Sequence, residues 1–420
     1  MENKVTQVTL GNGMKVLLKE VHTAPIISSW LWYRVGSRDE PTGKTGISHW
    51  TEHMLFKGTK KFPSKILDKA ISRDGGRWNA ATSRDATHYY ETMPADKFDL
   101  ALCLEADRMR NSVFETKEVA SERTVIISER EGSENEPLFE LTEAVQQMAF
   151  RVHSYHHEVI GDKADLRVIT RDDLYKHYRR YYVPNNAVLS VAGDFETRTM
   201  LKRIRELFEP IPKGPTPPRL ARPEPEQKGE VRFSIEGSGE TIFIQAAYRF
   251  PNATHPDFFP LQVFDGLLGG MSGLSTKTSR LYRALVDKQY AIEVSGWAEP
   301  TIDPYLYRIT LIKHPRRTVD EVIAAMDVEI KKLQDAPAPG DEIKRAVKQA
   351  RAVFVYGNEN ITSQAFWMGY AETFASYEWF ATYLDHLAKV TPQDVQRVAQ
   401  QYFQPASRVI GIYLPKGGET

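Results

Sequence analysis

Two stretches of the chain carry the same order of hydrophobic and polar positions. Each begins near a threonine, continues with apolar residues at helical spacing, reaches a proline and ends in a short apolar run. The first stretch reads ITRDDLYKHYRRYYVPNNAVLSVAGDF, and the second reads VTPQDVQRVAQQYFQPASRVIGIYL. A threonine N-cap, an amphipathic period and a proline stop predict a helix, and the apolar run after the proline predicts a strand.

The two stretches also correspond residue by residue. Any two helix–turn–strand units share such features, and that is the alternative explanation. A single shared offset favours an internal duplication. The beginnings of the two halves, IISSWLWYRVGS and TIFIQAAYRFPN, match more loosely. The five positions that match at an offset of 221 residues are Thr170 with Thr391, Asp173 with Asp394, Tyr181 with Tyr402, Pro184 with Pro405 and Val188 with Val409.

A proline-rich segment separates the two halves. Residues 209–229 read EPIPKGPTPPRLARPEPEQKG, and the prolines restrict φ and remove backbone donors, so that neither a helix nor a sheet runs through the segment. We therefore predict a first domain at 1–208, a linker at 209–229 and a second repeat domain at 230–420. Strands alternate with long helical stretches in each half, which indicates the α/β or the α+β class.

Composition and charge narrow the class of protein. At about 150 residues per domain, 420 residues suggest two to four domains, and 41% hydrophobic with 26% charged residues is typical of a soluble globular chain. The 55 basic and 55 acidic residues cancel, which disfavours nucleic acid as a partner. The single cysteine, Cys103, excludes an internal disulfide framework and a multi-cysteine zinc site. No apolar run reaches about 18 residues, so we expect no membrane span, and a bacterial cytoplasm and a periplasm are equally compatible with the sequence.

The strongest local signal is the segment from Gly46 to Phe56, GISHWTEHMLF. Its apolar residues recur at helical spacing, which places His49 and His53 one turn apart on one face of a helix. Two imidazoles in this arrangement can bind one Zn²⁺, and Glu52 beside them can accept a proton from water without binding the metal. The order His-x-x-Glu-His is inverted relative to the better-known zinc protease motif. Two unrelated histidines on a partly exposed helix are the alternative.

A catalytic zinc site needs a third protein ligand and one open position. His156 and His157 follow an aromatic stretch without a supporting pattern, and we predict that they are surface or core residues rather than ligands. Glu122 and Glu129 are seven residues apart, about two helical turns, so that they face the same way. One of them could bind the metal while the other lies behind a histidine ring, or both could belong to a solvated helix face. The spacing leaves open which glutamate is the ligand.

Between these segments lies GGRWNAATSRDATHYYE, from Gly75 to Glu91. The Gly-Gly pair and the β-branched and aromatic residues predict a turn and strands. Small residues at Ala80, Ala81 and Thr82 would let a second extended chain lie close, so a peptide substrate could bind there by strand addition. An ordinary core hairpin explains the pattern equally well.

Three segments of the chain, VGSRDEPTGKTGISHWTEHMLFKGT, GGRWNAATSRDATHYYE and ERTVIISERE, occur in this order. Together they resemble the pitrilysin/insulinase family of zinc metallopeptidases, and in particular its half-length members akin to bacterial and mitochondrial processing peptidases. The resemblance extends over essentially the whole chain, strongly at residues 35–131 and weakly in the second half. It implies a zinc-dependent metalloendopeptidase that hydrolyses peptides or unfolded polypeptides.

The resemblance also implies roles for the motif residues. It implies that His49, His53 and Glu129 bind one Zn²⁺ per chain. Glu52 would then act as the general base, and Glu122 would be a carboxylate behind the zinc ligands.

The same resemblance implies the fold and the substrate strand. We expect an α+β protein with two homologous domains, each a mostly antiparallel sheet backed by helices, so that one chain forms half of a clamshell around a chamber. The strand that contains Asn79, Ala80 and Thr82 is expected to pair with the substrate backbone.

The second half departs from the family pattern. The arginine and tyrosine with which the family holds its substrate correspond here to Val286 and Glu293, and the region DFFPLQVFDGLLGGMSG contains no histidine. We therefore predict a heterodimer in which a half-length relative supplies the Arg–Tyr pair. A homodimer that uses Arg280 or Arg283 with Tyr290 is the alternative. A catalytically silent structural or assembly subunit is a further alternative, which the intact His-x-x-Glu-His motif disfavours.

Overall fold

The computed structural model describes residues 5–220, 222–270 and 276–417, with the side chains of 65–68 and 276 excepted. Within these residues the protein has an α+β fold with two sheets backed by helices, which confirms the predicted class. The chain divides into two compact units. None of the described helices has the length and hydropathy that a membrane span requires.

The sheet of the first unit contains six strands. They are Thr6–Thr9 (β1), Lys15–Glu20 (β2), Ile26–Tyr33 (β3), Arg77–Thr82 (β4), Thr87–Pro94 (β5) and Ala187–Gly193 (β6). Their order across the sheet is β1-β2-β6-β3-β5-β4, so that β4 lies at an edge. Neighbouring strands are antiparallel except β2 and β6, which are parallel.

The sheet of the second unit contains five strands. They are Val231–Gly237 (β7), Phe243–Phe250 (β8), Ala291–Trp297 (β9), Tyr305–Lys313 (β10) and Arg408–Pro415 (β11). Their order is β7-β11-β8-β10-β9, and only β7 and β11 are parallel neighbours. This order corresponds to β2-β6-β3-β5-β4 of the first sheet, strand for strand.

The described helices connect these strands and cover the sheets. Helix α1 contains the His-x-x-Glu-His motif, and α4 contains both glutamates that the sequence suggests near it. The bounds are Ile47–Leu55 (α1), Ser64–Arg73 (α2), Asp99–Asn111 (α3), Thr116–Ser133 (α4), Pro137–Ala149 (α5), Lys163–Val168 (α6), Arg171–Tyr181 (α7), Thr197–Phe208 (α8), Phe258–Leu268 (α9), Val319–Asp335 (α10), Gly340–Tyr356 (α11), Ile361–Phe374 (α12), Tyr377–Ala381 (α13), Tyr383–Ala388 (α14) and Pro392–Tyr402 (α15).

The two stretches with matching patterns occupy the same place in their repeats. Thr170 caps α7 and Thr391 caps α15, and each accepts the backbone N–H of the aspartate three residues later. The strand that follows each helix, β6 or β11, is inserted between two strands from earlier in its repeat. The shared offset in the sequence therefore corresponds to a shared position in the fold.

Each repeat contributes one helix to the compact unit that the other repeat mainly forms. Helix α12 from the second repeat belongs to the first unit, and α5 from the first repeat belongs to the second. The predicted division at 209–229 stays a prediction about the repeats, and the described residues of that segment form neither helix nor strand. The first unit takes the described parts of Met1–Arg130, His157–Arg222 and Asn358–Phe380, and the second takes those of Glu131–His156, Pro223–Gly357 and Ala381–Thr420.

Helix α12 covers one face of the first sheet. Its Met368 lies in a buried cluster with Trp30 and Trp32 of β3. Gly369 allows this close approach, because a Cβ there would lie 2.3 Å from the Nε1 atom of Trp32 and 2.5 Å from the Oγ atom of Ser190. Since side chains alternate along a strand, the other face of the sheet is left to helices such as α1, which packs against β4 and β5.

Helix α5 covers the second sheet in a comparable way. Its Leu141 and Val145 lie in a buried cluster with Val409 and Tyr413 of β11. A Cβ on Gly411 of β11 would lie 2.5 Å from the Cγ2 atom of Val145, so a glycine again permits the contact between helix and sheet.

Candidate functional site

Helix α1 forms because its apolar residues recur at helical spacing and are buried together. Trp50, Met54 and Leu55 are each at most 1% exposed. His49 and His53 lie one turn apart at partly exposed positions, and the centroids of their rings are 4.6 Å apart. The burial of the apolar face thus turns both imidazoles toward the same side.

Three side chains form a cluster with the geometry of a metal site. One donor atom from each of His49, His53 and Glu129 lies within 4.8 Å of the others. The Oε1 atom of Glu129 is 3.8 Å from His49 Nε2, and its Oε2 atom is 3.6 Å from His53 Nε2. Donors around a tetrahedral ion with bonds of about 2.1 Å are roughly 3.4 Å apart, so these side chains fit zinc with little adjustment. Three ligands would leave one coordination position open, as in catalytic zinc sites.

Glu122 lies on the Nδ1 side of the His53 ring. Its Oε1 atom is 2.8 Å from His53 Nδ1, and its Oε2 atom pairs with the ammonium group of Lys57. Burial alone would raise the pKa of Glu122, but the bonds from His53 and Lys57 hold it below its ordinary value. Glu122 faces His53 Nδ1, so that Nε2, on the side of Glu129, is the ring nitrogen left to bind a metal. The geometry therefore distinguishes the two glutamates that spacing alone leaves equivalent.

His49 has a buried ring nitrogen, Nδ1, for which no described residue provides a hydrogen-bond partner. Burial first, and the nearby His53 second, lower the pKa of His49 to about 3. The imidazole is therefore neutral at ordinary pH. A neutral imidazole is the protonation state that metal binding requires, so the donor set suits a divalent ion such as zinc.

Glu52 lies on the same helix as the two histidines and is 7% exposed. Its Oε2 atom accepts a hydrogen bond of 2.6 Å from the hydroxyl of Thr82, the last residue of β4. Burial raises the pKa of Glu52 above its ordinary value, against the opposing effect of the Thr82 bond. Thr82, predicted as a substrate residue, thus also fixes the carboxylate that is predicted to be the general base.

Strand β4 lies at the edge of the first sheet and in contact with α1. It pairs with β5 on one side, and no strand among the described residues pairs with its other side. Asn79 is exposed, while Ala80 and Thr82 are half-buried. An edge strand with small side chains leaves backbone groups available to an added strand. The roles of Asn79, Ala80 and Thr82 in substrate binding stay predictions.

Three further residues near the site have roles that the sequence pattern does not indicate. Lys57 pairs with Glu122, and Glu40 accepts backbone N–H groups at the start of α1. His157, predicted to be a surface or core residue, is buried and bonds to Glu40 at 2.9 Å. Glu40 and Lys57 lie within the segment that carries the family resemblance, but His157 is 117 residues away from Glu40. The sequence therefore contains no short-range pattern that links His157 to Glu40.

Comparison with known protein families gives two matches. The family described as Insulinase (Peptidase family M16) matches residues 15–163, and the family described as Peptidase M16 inactive domain matches residues 169–350. The first match contains the whole candidate site. The second match begins after it and covers the part of the chain without the His-x-x-Glu-His motif.

Similar proteins include named zinc proteases and a processing peptidase subunit. The zinc protease PqqE of Helicobacter pylori is 32% identical over 292 residues, which are 68% of this chain and 64% of that protein, slightly less than two thirds of its length. The mitochondrial-processing peptidase subunit beta of Lentinula edodes is 25% identical over 94% of this chain and 86% of its own length. The crystal structure of a protease from Helicobacter pylori superposes with a TM-score of 0.92 at 26% identity, over 98% of this chain and 100% of that chain.

Proposed function

Because the chain belongs to the insulinase family of peptidases (family M16), we propose that it is a zinc-dependent metalloendopeptidase that hydrolyses peptides or unfolded polypeptides. The observation that carries the proposal is the cluster of His49, His53 and Glu129, with Glu52 on the helix of the two histidines. These three residues would hold one Zn²⁺, and Glu122 would orient His53.

The chemistry of this chain's own residues centres on Glu52. A bound zinc ion would supply Lewis-acid chemistry at the cluster. Glu52 accepts a proton from the attacking water while the water oxygen bonds to the carbonyl carbon of the substrate. Glu52 then returns the proton to the amide nitrogen, the C–N bond breaks and the amine leaves. Burial raises the pKa of Glu52 toward neutral pH. A group whose pKa is near the working pH can both take up and return a proton effectively.

The substrate would bind as an added strand along β4. Its backbone would pair with the strand that contains Asn79 and Ala80, and its scissile bond would lie near Thr82 and Glu52. This orientation follows from the 2.6 Å bond between Thr82 and Glu52, which joins the end of the edge strand to the proposed base.

We further propose that the active enzyme is a heterodimer that encloses the substrate in a chamber. The family's substrate-holding arginine and tyrosine correspond to Val286 and Glu293, and Glu293 is exposed on the edge strand β9. A half-length partner would supply the missing Arg–Tyr pair. The relatedness to a chain named as a subunit of a processing peptidase supports a two-chain enzyme.

Contacts within the second unit weigh against the homodimer. Arg280 forms an ion pair of 3.0 Å with Glu342. Arg317 lies over the ring of Tyr290, with its guanidinium carbon 4.2 Å from the ring centroid. Because Arg280 and Tyr290 already have partners inside their own unit, using them to hold a substrate would break those contacts.

The test of the proposal compares zinc content and peptide cleavage in two variants. Glu52→Gln should retain stoichiometric zinc and lose turnover by at least about 100-fold, because only the proton acceptor is removed. His49→Ala should lose the zinc, because two remaining ligands hold the ion poorly. Zinc is measured by atomic absorption and cleavage with a quenched fluorescent peptide, with and without a candidate partner chain.

Glu131→Gln is the matched control, since Glu131 is exposed and carries the same change of charge. It should keep both zinc and activity. Cleavage by Glu52→Gln at the wild-type rate would contradict the mechanism, and stoichiometric zinc in His49→Ala would contradict the ligand assignment.

A catalytically silent structural or assembly subunit is the second candidate. The observation in its favour is the match of residues 169–350 to a domain described as inactive. That match excludes the segment with His49, Glu52 and His53, so we favour the active enzyme. Absence of zinc from the wild-type protein would favour the silent subunit.

A further inference from the structure

The start of helix α1 is capped by a distant carboxylate. The N-cap residue is Gly46, at φ 84°, and it has no side chain that could cap the helix. Instead, Glu40 accepts the backbone N–H of Gly46 at Oε2 and the backbone N–H of Ser48 at Oε1, each at 2.8 Å. A helix leaves the N–H groups of its first turn without internal partners, so Glu40 satisfies two groups that would otherwise be unpaired.

Glu40 is in turn paired with His157. The Oε2 atom of Glu40 is 2.9 Å from His157 Nε2, and the side chains of Glu40 and His157 are 0% and 4% exposed. Burial alone would lower the pKa of His157, and the bond to Glu40 raises it above its ordinary value. A buried carboxylate is stable as a charged group only where donors surround it. His157 therefore supplies a donor that the buried Glu40 needs.

The backbone that follows His157 also packs directly on the start of α1. A Cβ on Gly161 would lie 2.4 Å from the carbonyl group of Thr45 and 2.5 Å from the Cα atom of Gly46. A Cβ on Gly46 would lie 2.4 Å from the carbonyl oxygen of Ile160. The segment 157–161 and the turn before α1 are thus in close backbone contact, with no space for a side chain at Gly46 or Gly161.

We propose that Glu40 and His157 form a positioning pair that sets the direction in which α1 presents its motif to Glu129 on α4. This inference rests on the proposed function, because it concerns the geometry of the same cluster. Glu129 lies 3.8 and 3.6 Å from His49 and His53, so a change in the direction of α1 would change these separations directly. A displacement of about 1 Å in a catalytic arrangement can cost on the order of 100-fold in rate. The pair acts through the helix.

The experiment loads the protein with Co²⁺, whose visible absorption reports the arrangement of its ligands, and compares variants of His157. His157→Leu removes the side-chain partner of Glu40 and leaves it only the backbone N–H groups of Gly46 and Ser48, so we expect an altered Co²⁺ spectrum and a fall in kcat/KM of at least about tenfold in the folded protein. His157→Gln keeps an N–H donor and should stay within about threefold of wild type. The double variant His157→Leu with Glu40→Gln removes the buried charge, although it also replaces one of the two oxygens that accept from α1, and it should recover part of the loss. If His157→Leu alone does not fold, the double variant is compared with the wild type in its place.

His153→Leu is the control, because His153 is also a buried histidine paired with a carboxylate, that of the partly exposed Asp303 at 3.1 Å, in the second unit. It should lower the melting temperature without changing the Co²⁺ spectrum. Hydrogen exchange of the metal-free protein is a measurement that does not depend on activity. The Ser48 amide, which donates to Glu40, should exchange faster in His157→Leu than in His153→Leu.

Folded His157→Leu with the wild-type spectrum and kcat/KM would overturn the inference, whether or not the exchange rate changes. A wild-type protein that binds no Co²⁺ and cleaves no peptide would contradict the proposed function instead, and that result appears before any variant is made.

Discussion

At the scale of single residues, Thr82 offers a direct way to examine the proposed base. Its hydroxyl donates a 2.6 Å hydrogen bond to Glu52 Oε2 and accepts one of 3.3 Å from Thr87. Thr82→Val keeps the shape but removes the donor, so we expect kcat to fall about tenfold, the equivalent of roughly 1.4 kcal/mol, while zinc content stays unchanged. Steady-state kinetics and zinc analysis measure both.

Thr82→Ser is the control for this prediction, because it keeps the hydroxyl and loses only a methyl group. It should retain most of the activity. A valine variant with the wild-type kcat would show that Glu52 needs no support from β4.

Asp265 gives the protein a dependence of stability on pH. It is buried and accepts a 2.7 Å hydrogen bond from Tyr307, and burial raises its pKa to about 7 from an ordinary value of 3.8. The unfolded chain therefore releases this proton at lower pH than the folded protein does, so stability falls as pH rises between about 4 and 7. We expect Asp265→Asn to remove this loss of stability, which totals on the order of 4 kcal/mol over the pH range.

Urea unfolding of wild type and Asp265→Asn at pH 5 and pH 8 measures the effect. The variant should gain stability relative to wild type at pH 8, and gain much less at pH 5. Asp385→Asn, at an exposed position of the same unit, should show no such difference. Parallel curves for wild type and Asp265→Asn at both pH values would contradict the prediction.

Residue-level chemistry was readable from the sequence where it depended on local spacing. His49 and His53 could be placed on one helix face because four residues make about one turn. The sequence could not decide which of Glu122 and Glu129 would bind a metal, because the answer depends on which ring nitrogen of His53 each carboxylate faces. The contact between Thr82 and Glu52 joins a strand to a helix, and no periodicity describes it.

At the scale of elements, the contact between α12 and the first sheet depends on Gly369. A methyl group there would lie 2.3 Å from Trp32 Nε1 and 2.5 Å from Ser190 Oγ, so the helix or the sheet must move to admit it. We expect Gly369→Ala to lower the free energy of unfolding by about 1–3 kcal/mol, although alanine favours helices. Thermal and urea unfolding measure this change.

Gly132→Ala is the matched control in α4, because a Cβ there meets no described atom within 4 Å. It should raise stability by about 0.5–1 kcal/mol through helix propensity alone. If Gly369→Ala is as stable as Gly132→Ala, then α12 does not pack closely on the sheet in solution.

The helices and strands around α7 with β6 and α15 with β11 could be predicted, because caps, apolar periods and proline stops lie close together in the sequence. The exchange of α5 and α12 between the units could not. Each of these helices carries apolar residues that could cover a sheet, and the period of those residues does not specify which of the two sheets it covers. A division of the chain at the proline-rich segment follows the repeats, whereas the compact units follow side-chain packing.

At the scale of the whole molecule, we propose that two chains share the active site, one with the metal ligands and the other with the Arg–Tyr pair. The family resemblance implies that Val286 and Glu293 stand at the positions of the substrate-holding pair, and on that proposal we expect this chain to require a half-length partner. Co-expression with such a relative should give a one-to-one heterodimer with zinc only in this chain. Peptide cleavage should require the pair, because each chain alone lacks either the metal ligands or the Arg–Tyr pair. Light scattering, zinc analysis and a peptide assay measure these outcomes.

The same measurements on the chain alone provide the comparison. A zinc-bearing homodimer that cleaves peptides without a partner would support the proposed peptidase activity and contradict the proposed heterodimer. If the heterodimer is the active form, the double variant Val286→Arg with Glu293→Tyr should not raise its activity, because the partner chain already supplies an arginine and a tyrosine.

The position of α12 along the chain has a consequence for synthesis on the ribosome. All strands of the first sheet have been translated once β6 ends at Gly193, but the helix that covers Trp30 and Trp32 ends at Phe374. At about 5–20 residues per second, the intervening roughly 180 residues take on the order of 10 to 35 s to translate. We therefore expect the nascent chain to leave Trp30 and Trp32 uncovered during this interval, a surface that chaperones for apolar segments would bind. A circularly permuted gene that encodes α12 ahead of β1 would remove the delay.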